Sequence, residues 1–291
     1  MSDFVPGESG ADDESLPRDD VFAERGAQAY ARPSSIAELR RVAQPDEVRS
    51  RANAEHWTAS LYLRDVSPYL TWFLLRTRIS ANQVTGIMIL VGWSTAAALL
   101  IPGMPGAVLA LILGQLQMLV DCSDGEVARW RGTRSPAGVF LDKVGHYTTE
   151  ALIPIALGVR AATWPVRGDD FAWTTIGVGL ALIIVLNKAL NDMVHVARAH
   201  AGLSRAADDE ATTAPRASGL ARLRRLARFV PFHRLYHSIE LSLLILVAAV
   251  VDQVAGSLVG TRVLLVVLLP AALLAVAGHF LAIVTSSRLR A

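Results

Sequence analysis

Three aspartates and a histidine recur at helical spacing between residues 121 and 146. Asp121 and Asp124 lie three residues apart, and Asp142 and His146 lie four apart, so each pair shares one face of a helix. Ionisable side chains at the ends of apolar helices are costly and usually mark an ion or substrate site. Three carboxylates and an imidazole between two helices suit divalent metal ions, and oxygen ligands favour Mg²⁺ or Mn²⁺. Two adjacent ions would grip a diphosphate and an attacking oxygen together.

Small and cationic residues accompany these acids. Gly125 and Ala128 lie on or beside the face of the first pair, and their small size lets a bulky ligand approach the backbone. Arg129 adds a planar cation suited to phosphate. A turn over residues 132–136 leads to a second helix, which carries Gly138 followed by the second pair. The pattern therefore predicts a phosphate-binding cleft between two helices.

The stretch DCSDGEVARWRGTRSPAGVFLDKVGH resembles the signature of the CDP-alcohol phosphotransferase (CDP-alcohol phosphatidyltransferase) family, D-x2-D-G-x2-A-R-x8-G-x3-D-x3-D. Seven positions match in identity and spacing, namely Asp121, Asp124, Gly125, Ala128, Arg129, Gly138 and Asp142. His146 departs from the signature, because the family has a fourth aspartate there. Residues 80–85, SANQVT, resemble the family's P-N-x-x-T entry to the first membrane span, with Ala81 in place of proline.

The resemblance implies a role for each of these residues. It implies metal ligation by Asp121, Asp124, Asp142 and His146, and nucleotide binding by Asn82, Thr85, Gly125, Ala128, Arg129 and Gly138. It also implies that Asp142, His146 and Arg129 are catalytic. An imidazole can replace the family's fourth aspartate either as a metal ligand or as the base. The alternative for Ser80 and Asn82 is an ordinary helix cap and a first-turn residue.

The reaction implied by the resemblance is transfer of a phosphoalcohol (phosphatidyl) group from a CDP-alcohol, with CDP-diacylglycerol as the favoured donor. A hydroxyl of a polyol or polyol phosphate attacks the phosphate distal to the cytidine, and CMP leaves. If the donor is a soluble CDP-polyol, the acceptor is instead a lipid. Two other classes stay open: a catalytically altered family member that acts as a binding or regulatory protein, and a membrane transporter.

Apolar segments predict an all-α, polytopic membrane protein. Six segments are long enough to span a bilayer, namely 83–102, 106–128, 138–163, 171–197, 234–254 and 260–285. Residues 57–78 mix aromatic, aliphatic and charged side chains, and Ser67-Pro68 is typical of a helix start. We expect an N-terminal amphipathic juxtamembrane helix there, lying in the headgroup region. An ordinary helix packed on the protein is compatible with the same pattern.

The rest of the chain predicts its division into two parts. Residues 1–55 are expected to form a cytoplasmic, largely disordered tail, in which Ser34 or Ser35 caps a helix with the sequence IAELRRVA. Residues 56–291 form the membrane domain. The single cysteine, Cys122, excludes an intramolecular disulfide framework. The net charge is +2, and we expect membrane lipid and no nucleic acid as a partner, with a homodimer as one option.

The distribution of basic residues predicts the orientation. With the N-terminus inside, 24 of the 28 Lys and Arg residues fall on the inner side and three fall on the outer side. This asymmetry predicts a protein of the cytoplasmic membrane with both termini and the acidic motif on the cytoplasmic face.

Further polar groups lie within the predicted spans. A stripe in the fourth span comprises Asn187, Lys188, Asn191, Asp192 and His195, and His237 and Glu240 begin the fifth. Lys188 and Asp192 have the spacing to neutralise each other. These groups predict either an acceptor pocket beside the metal site or hydrogen bonds between helices.

The predicted orientation is testable by cysteine labelling. A Thr133→Cys variant should be shielded from impermeant thiol reagents in intact cells, and an Asp169→Cys variant should react, because only the latter loop is expected outside. Labelling of the Thr133→Cys variant from outside would overturn the orientation.

Overall fold

The computed structural model describes residues 32–45, 62–162, 171–203, 236–285 and 289, which contain eight α-helices and no strand. In chain order the helices are α1 (Ile36–Ala43), α2 (Arg64–Leu74), α3 (Ala81–Leu99), α4 (Gly103–Trp130), α5 (Pro136–Ala161), α6 (Phe171–His200), α7 (Ser238–Ala255) and α8 (Val259–Thr285). The prediction of an all-α fold is confirmed. Most of the expected tail lies outside the described residues, and the division at residue 55 stays a prediction.

Four of the described helices, α4, α6, α7 and α8, are long and apolar enough to cross a membrane. The outer face of α8 exposes large aliphatic side chains, including Val263, Leu274 and Leu281. Such a surface suits hydrocarbon rather than water, and together the four helices indicate a membrane protein.

The six predicted membrane segments coincide with α3 to α8, with ends that differ by a few residues. Helices α3 and α5 are not among the described helices that are long and apolar enough to cross a membrane. Their polar content accounts for this, since α3 begins with Asn82 and Gln83, and α5 carries Asp142, His146 and Glu150. The structure therefore supports four apolar spans, and membrane crossing by α3 and α5 stays a prediction.

Glycines bring α5 close to its neighbours α3 and α6. A Cβ at Gly92 of α3 would overlap the hydroxyl of Thr149 on α5. A Cβ at Gly177 of α6 would lie 2.5 Å from the carbonyl oxygen of Pro154 and 2.9 Å from the Cα of Gly158, both on α5. Close packing through small residues is typical of membrane helix bundles. These contacts hold the helix that carries the second half of the acidic motif.

A short turn joins α4 to α5, as the sequence predicts. Gly132 has φ +64°, a left-handed conformation that favours glycine. Ser135 caps α5, its hydroxyl accepting a hydrogen bond from the backbone N–H of Gly138 at 3.1 Å, and Pro136 occupies the first turn. The turn reverses the chain, so the C-terminal end of α4 lies beside the N-terminal end of α5.

The first described helix starts as predicted, and the second does not. Ser35 caps α1 by accepting from the N–H of Glu38 at 3.1 Å. The prediction of a helix start at Ser67-Pro68 is wrong, because α2 begins at Arg64 and contains Pro68. A proline inside a helix frees the carbonyl four residues earlier. Here that carbonyl belongs to Arg64, and it accepts from Gln44 Nε2 at 2.8 Å, so the helix continues through the proline.

A buried glutamate inside the motif ties both N-terminal helices to α4. Glu126 is fully buried. Its carboxylate accepts hydrogen bonds from Gln44 Nε2 at 2.8 Å, Ser67 Oγ at 2.5 Å and Thr71 Oγ1 at 2.7 Å. A buried carboxylate requires such donors, because it has lost its hydration. Glu126 therefore explains why Ser67 faces α4 and does not cap a helix.

We expect the Gly177→Ala substitution to destabilise the protein, because its Cβ would collide with backbone atoms of α5. The cost of overpacking is about 1–3 kcal/mol, measurable as a lower melting temperature in detergent. Gly179→Ala is the matched control on the same helix, since its Cβ would meet its nearest neighbour, Leu269 Cδ1, at 3.9 Å. Equal melting temperatures for the two variants would contradict this account of the α5–α6 contact.

We expect the Glu126→Ala substitution to loosen α1 and α2 from α4, because three donors lose their common acceptor. The loss should be roughly 2–4 kcal/mol, seen as a lower melting temperature and faster proteolysis between residues 32 and 78. Glu38→Ala is the control, because the exposed carboxylate of Glu38 accepts hydrogen bonds from Ser34 just before α1, so its loss should leave the attachment to α4 intact. Unchanged proteolysis of Glu126→Ala would show that other contacts hold these helices.

Candidate active site

Three of the predicted ligands converge between α4 and α5. One ligand atom each from Asp121, Asp142 and His146 lies within 4.8 Å of the other two. His146 Nε2 is 3.0 Å from Asp121 Oδ1 and 3.4 Å from Asp142 Oδ1. All three side chains are part-buried. Two carboxylates and an imidazole that share one space form a donor set that fits a divalent cation.

The fourth predicted ligand, Asp124, is held by α3. Thr85 is buried, and its hydroxyl donates to Asp124 Oδ2 at 2.6 Å. Asp124 also interacts electrostatically with Asp121 and Asp142. The structure therefore brings three predicted ligands within mutual reach, and Thr85 fixes the fourth beside them.

The beginnings of α3 and α5 meet at the edge of this site. Ser80 caps α3 and forms a reciprocal capping box with Gln83, as the alternative for Ser80 predicted. A Cβ at Gly138 would lie 3.1 Å from the side-chain oxygen of Asn82, so the Asn82 amide rests on the glycine backbone. Asn82 and Gly138, two of the six residues that the resemblance assigns to nucleotide binding, are thus neighbours in space.

Arg129 serves as a structural anchor as well as a cation. Its Nε donates to the backbone carbonyl of Ala43, at the end of α1. Its guanidinium lies over Gly125, where a Cβ would be 3.1 Å from Nη1. Ala128 packs at the edge of a small apolar cluster that includes Leu39 of α1. Sequence reasoning assigned these residues to the ligand and did not detect their contacts with α1.

A second charged layer lies one helical turn beyond His146. Glu150 is 2% exposed, and its Oε1 lies 2.6 Å from Lys188 Nζ of α6 and 2.9 Å from His237 Nδ1 at the start of α7. The same oxygen is 3.8 Å from His146 Nδ1. The charge of this buried carboxylate is therefore matched by groups from two other helices.

The expected pairing of Lys188 with Asp192 is wrong. Lys188 pairs with Glu150, whereas Asp192 accepts from Lys143 Nζ at 2.6 Å and from the Tyr147 hydroxyl at 2.9 Å. Both partners lie on α5, because the stripe of α6 faces that helix. The spacing within α6 identified Lys188 and Asp192 as charged neighbours. It could not show that each has a closer partner on α5.

The polar stripe divides into helix contacts and exposed groups. The side-chain oxygen of Asn187 lies 2.9 Å from His279 Nδ1 of α8, which favours the helix-contact alternative for Asn187. Asn191 is exposed. Lys188 and His237, which sequence reasoning placed near an acceptor, contact Glu150, and Glu150 lies 3.8 Å from His146 of the acidic cluster.

The arrangement has the parts for phosphoryl transfer. It combines two acidic side chains that suit a cation, the imidazole of His146 beside them, and the guanidinium of Arg129 further along α4. A search of curated proteins finds no match to the chain. A comparison with protein-family models matches residues 78–287 to the CDP-alcohol phosphatidyltransferase family, a match that extends over most of the chain and includes the whole cluster. The chain therefore belongs to the CDP-alcohol phosphatidyltransferase family.

Proposed function

We propose that the protein transfers a phosphoalcohol group from a CDP-alcohol to a hydroxyl acceptor and releases CMP. The family is one of enzymes for this class of transfer, and the chain keeps seven of the eight signature positions. CDP-diacylglycerol is the favoured donor, because its acyl chains can stay in lipid while its headgroup enters the cleft. The acceptor is a polyol or a polyol phosphate. The observation that carries the proposal is the convergence of Asp121, Asp142 and His146 between α4 and α5.

Divalent ions are the proposed cofactors, with Mg²⁺ or Mn²⁺ favoured and two ions expected. Asp121, Asp124, Asp142 and His146 would hold them, and the carboxylate-rich donor set supports this assignment. Bound ions would neutralise negative charge on the transferred phosphate and on CMP.

His146 is the proposed base for the acceptor hydroxyl, with metal ligation as the alternative use of the same nitrogen. Nε2 accepts the hydroxyl proton, the acceptor oxygen bonds to the phosphorus distal to the cytidine, and the bond from that phosphorus to CMP breaks. The position of Nε2 beside Asp121 and Asp142 supports this role, since a base must reach the reacting oxygen.

The proposed nucleotide pocket lies where α3, α4 and α5 meet. It comprises Asn82, Thr85, Gly125, Ala128, Arg129 and Gly138. The Thr85–Asp124 hydrogen bond and the contact of Asn82 with Gly138 support the grouping, because they join these helices at the motif. Arg129 would add positive charge near the diphosphate, although its Nε is engaged by Ala43.

The proposed membrane arrangement has six spans, α3 to α8, with α2 lying in the headgroup region. Val66, Tyr69 and Phe73 are exposed on one side of α2, while Ser67 and Thr71 are buried against α4. An apolar face that points away from the protein suits a lipid interface. Both termini and the site are proposed on the cytoplasmic side, and a homodimer is one proposed assembly.

A catalytically altered family member is the second candidate function. The replacement of the fourth signature aspartate by His146 is the specific observation that favours it. Such a protein would bind CDP-alcohol and release no CMP, whereas the proposed enzyme would do both. A transporter would move its ligand without releasing CMP.

We expect CMP formation by the purified protein to require a divalent ion and Asp121. Asp121→Asn keeps the side-chain shape but removes the charge that holds a cation, so turnover should be lost, as it should for the native protein in excess EDTA. His146→Ala should lower the rate roughly 10²–10⁴-fold, as expected for loss of a general base. His146→Asp, which restores the signature, should retain measurable activity.

The rate is measured as release of CMP. The acceptor is identified by mass spectrometry of the products formed from CDP-diacylglycerol and a panel of polyols and polyol phosphates. Gly179→Ala, whose Cβ would make only ordinary contact with Leu269, controls for loss of activity during purification in detergent. Robust CMP formation in EDTA would rule out the metal-dependent mechanism, and binding of donor without CMP release would favour the altered family member.

A further inference from the structure

Glu150 belongs to no position of the family signature, yet it lies where three helices meet. It follows His146 by one turn of α5, and its side chain is 2% exposed. Lys188 of α6 and His237 at the start of α7 contact the same oxygen, Oε1, at 2.6 Å and 2.9 Å. A buried carboxylate is stable only when donors surround it, and these two donors meet that need without His146.

The imidazole of His146 is oriented between two sets of carboxylates. Nδ1 faces Glu150 Oε1 at 3.8 Å, and Nε2 faces Asp121 and Asp142 at 3.0 Å and 3.4 Å. A carboxylate accepts hydrogen bonds and donates none when ionised. At 3.8 Å, Glu150 acts on Nδ1 through its negative charge and not through a hydrogen bond, whereas Nε2 hydrogen-bonds Asp121 at 3.0 Å. When a cation engages Asp121 and Asp142, the charge of Glu150 favours a proton on Nδ1, which leaves the lone pair of Nε2 for the site.

We infer that Glu150, held by Lys188 and His237, is the positioning residue that orients the His146 ring and selects its Nδ1–H tautomer. This inference rests on the proposed role of His146. Glu150 acts through His146 and does not touch the reacting atoms. A family member with aspartate at residue 146 has no ring to orient, so this orienting role of Glu150 requires the histidine.

The double variant removes Glu150 together with Lys188, the cation nearest to it. Glu150→Leu combined with Lys188→Met replaces the ion pair by apolar side chains of similar size, a change that buried pairs often tolerate. Lys188→Met alone is the reference, because the double variant differs from it only at residue 150; it keeps the contact of Glu150 with His237 and measures the cost of losing the cation by itself. If the double variant does not fold, Glu150→Gln with Lys188→Met replaces it.

The first measurement is NMR of ¹⁵N-labelled histidine side chains in nanodiscs with MgCl₂. The His146 signals are those absent from the His146→Asp protein. We expect the Nδ1–H tautomer in the native protein and in Lys188→Met, and loss of that preference in the double variant. An unchanged tautomer in the double variant would overturn the inference. The measurement needs no turnover, so it tests the role of Glu150 even if the native protein forms no CMP and the proposed function fails.

The second measurement is a double-mutant cycle on the rate of CMP formation. Relative to Lys188→Met, the double variant should lower kcat about 10–100-fold, the usual cost of losing the residue that orients a metal-site histidine. In a His146→Asp background the same change should cost no more than about 3-fold, because no ring remains. Equal losses in both backgrounds would show a structural role for Glu150 and overturn the inference.

Discussion

The burial of carboxylates inside a helical bundle is the constraint on which this structure depends. An ionised side chain that leaves water must find donors or cations in the protein, and each such partner joins two elements of the fold. Glu126 finds three donors on or beside α1 and α2, and Glu150 finds Lys188 on α6 and His237 at α7. The same constraint that makes these residues costly therefore assembles the helices around them.

The aspartates of the motif follow a different pattern. Asp121 and Asp142 approach the same imidazole nitrogen from two helices, and Asp124 is held one turn away by Thr85. Several acids gathered around a single imidazole carry an excess of negative charge, which a divalent cation would balance. The chain thus separates acids that complete the fold from the acids that we propose for the chemistry, although both kinds lie on the same two helices.

Much of the fold and the site was predictable because local rules govern them. The signature spacing placed Asp142 and His146 on one face, and the chemistry of Gly132 and Ser135 predicted the turn that brings α4 and α5 together. Contacts between distant segments were not predictable in this way. Ser67-Pro68 has the pattern of a helix start, yet the distant Gln44 fills the gap that Pro68 leaves. The pairing of Lys188 with Glu150 was likewise not predictable, because the spacing of residues within one helix does not identify a partner on a neighbouring helix.

The contact of Gly92 with Thr149 has a consequence for how variation in this protein is interpreted. Any side chain at residue 92 would collide with Thr149, the residue next to Glu150, and would thereby disturb α5 near His146. Loss of activity at Gly92 would then arise from helix spacing, with no contact between that residue and the reactants. In a saturation mutagenesis scored by growth or product, Gly92 would resemble a catalytic position. Only a stability measurement on each variant would separate it from Asp121.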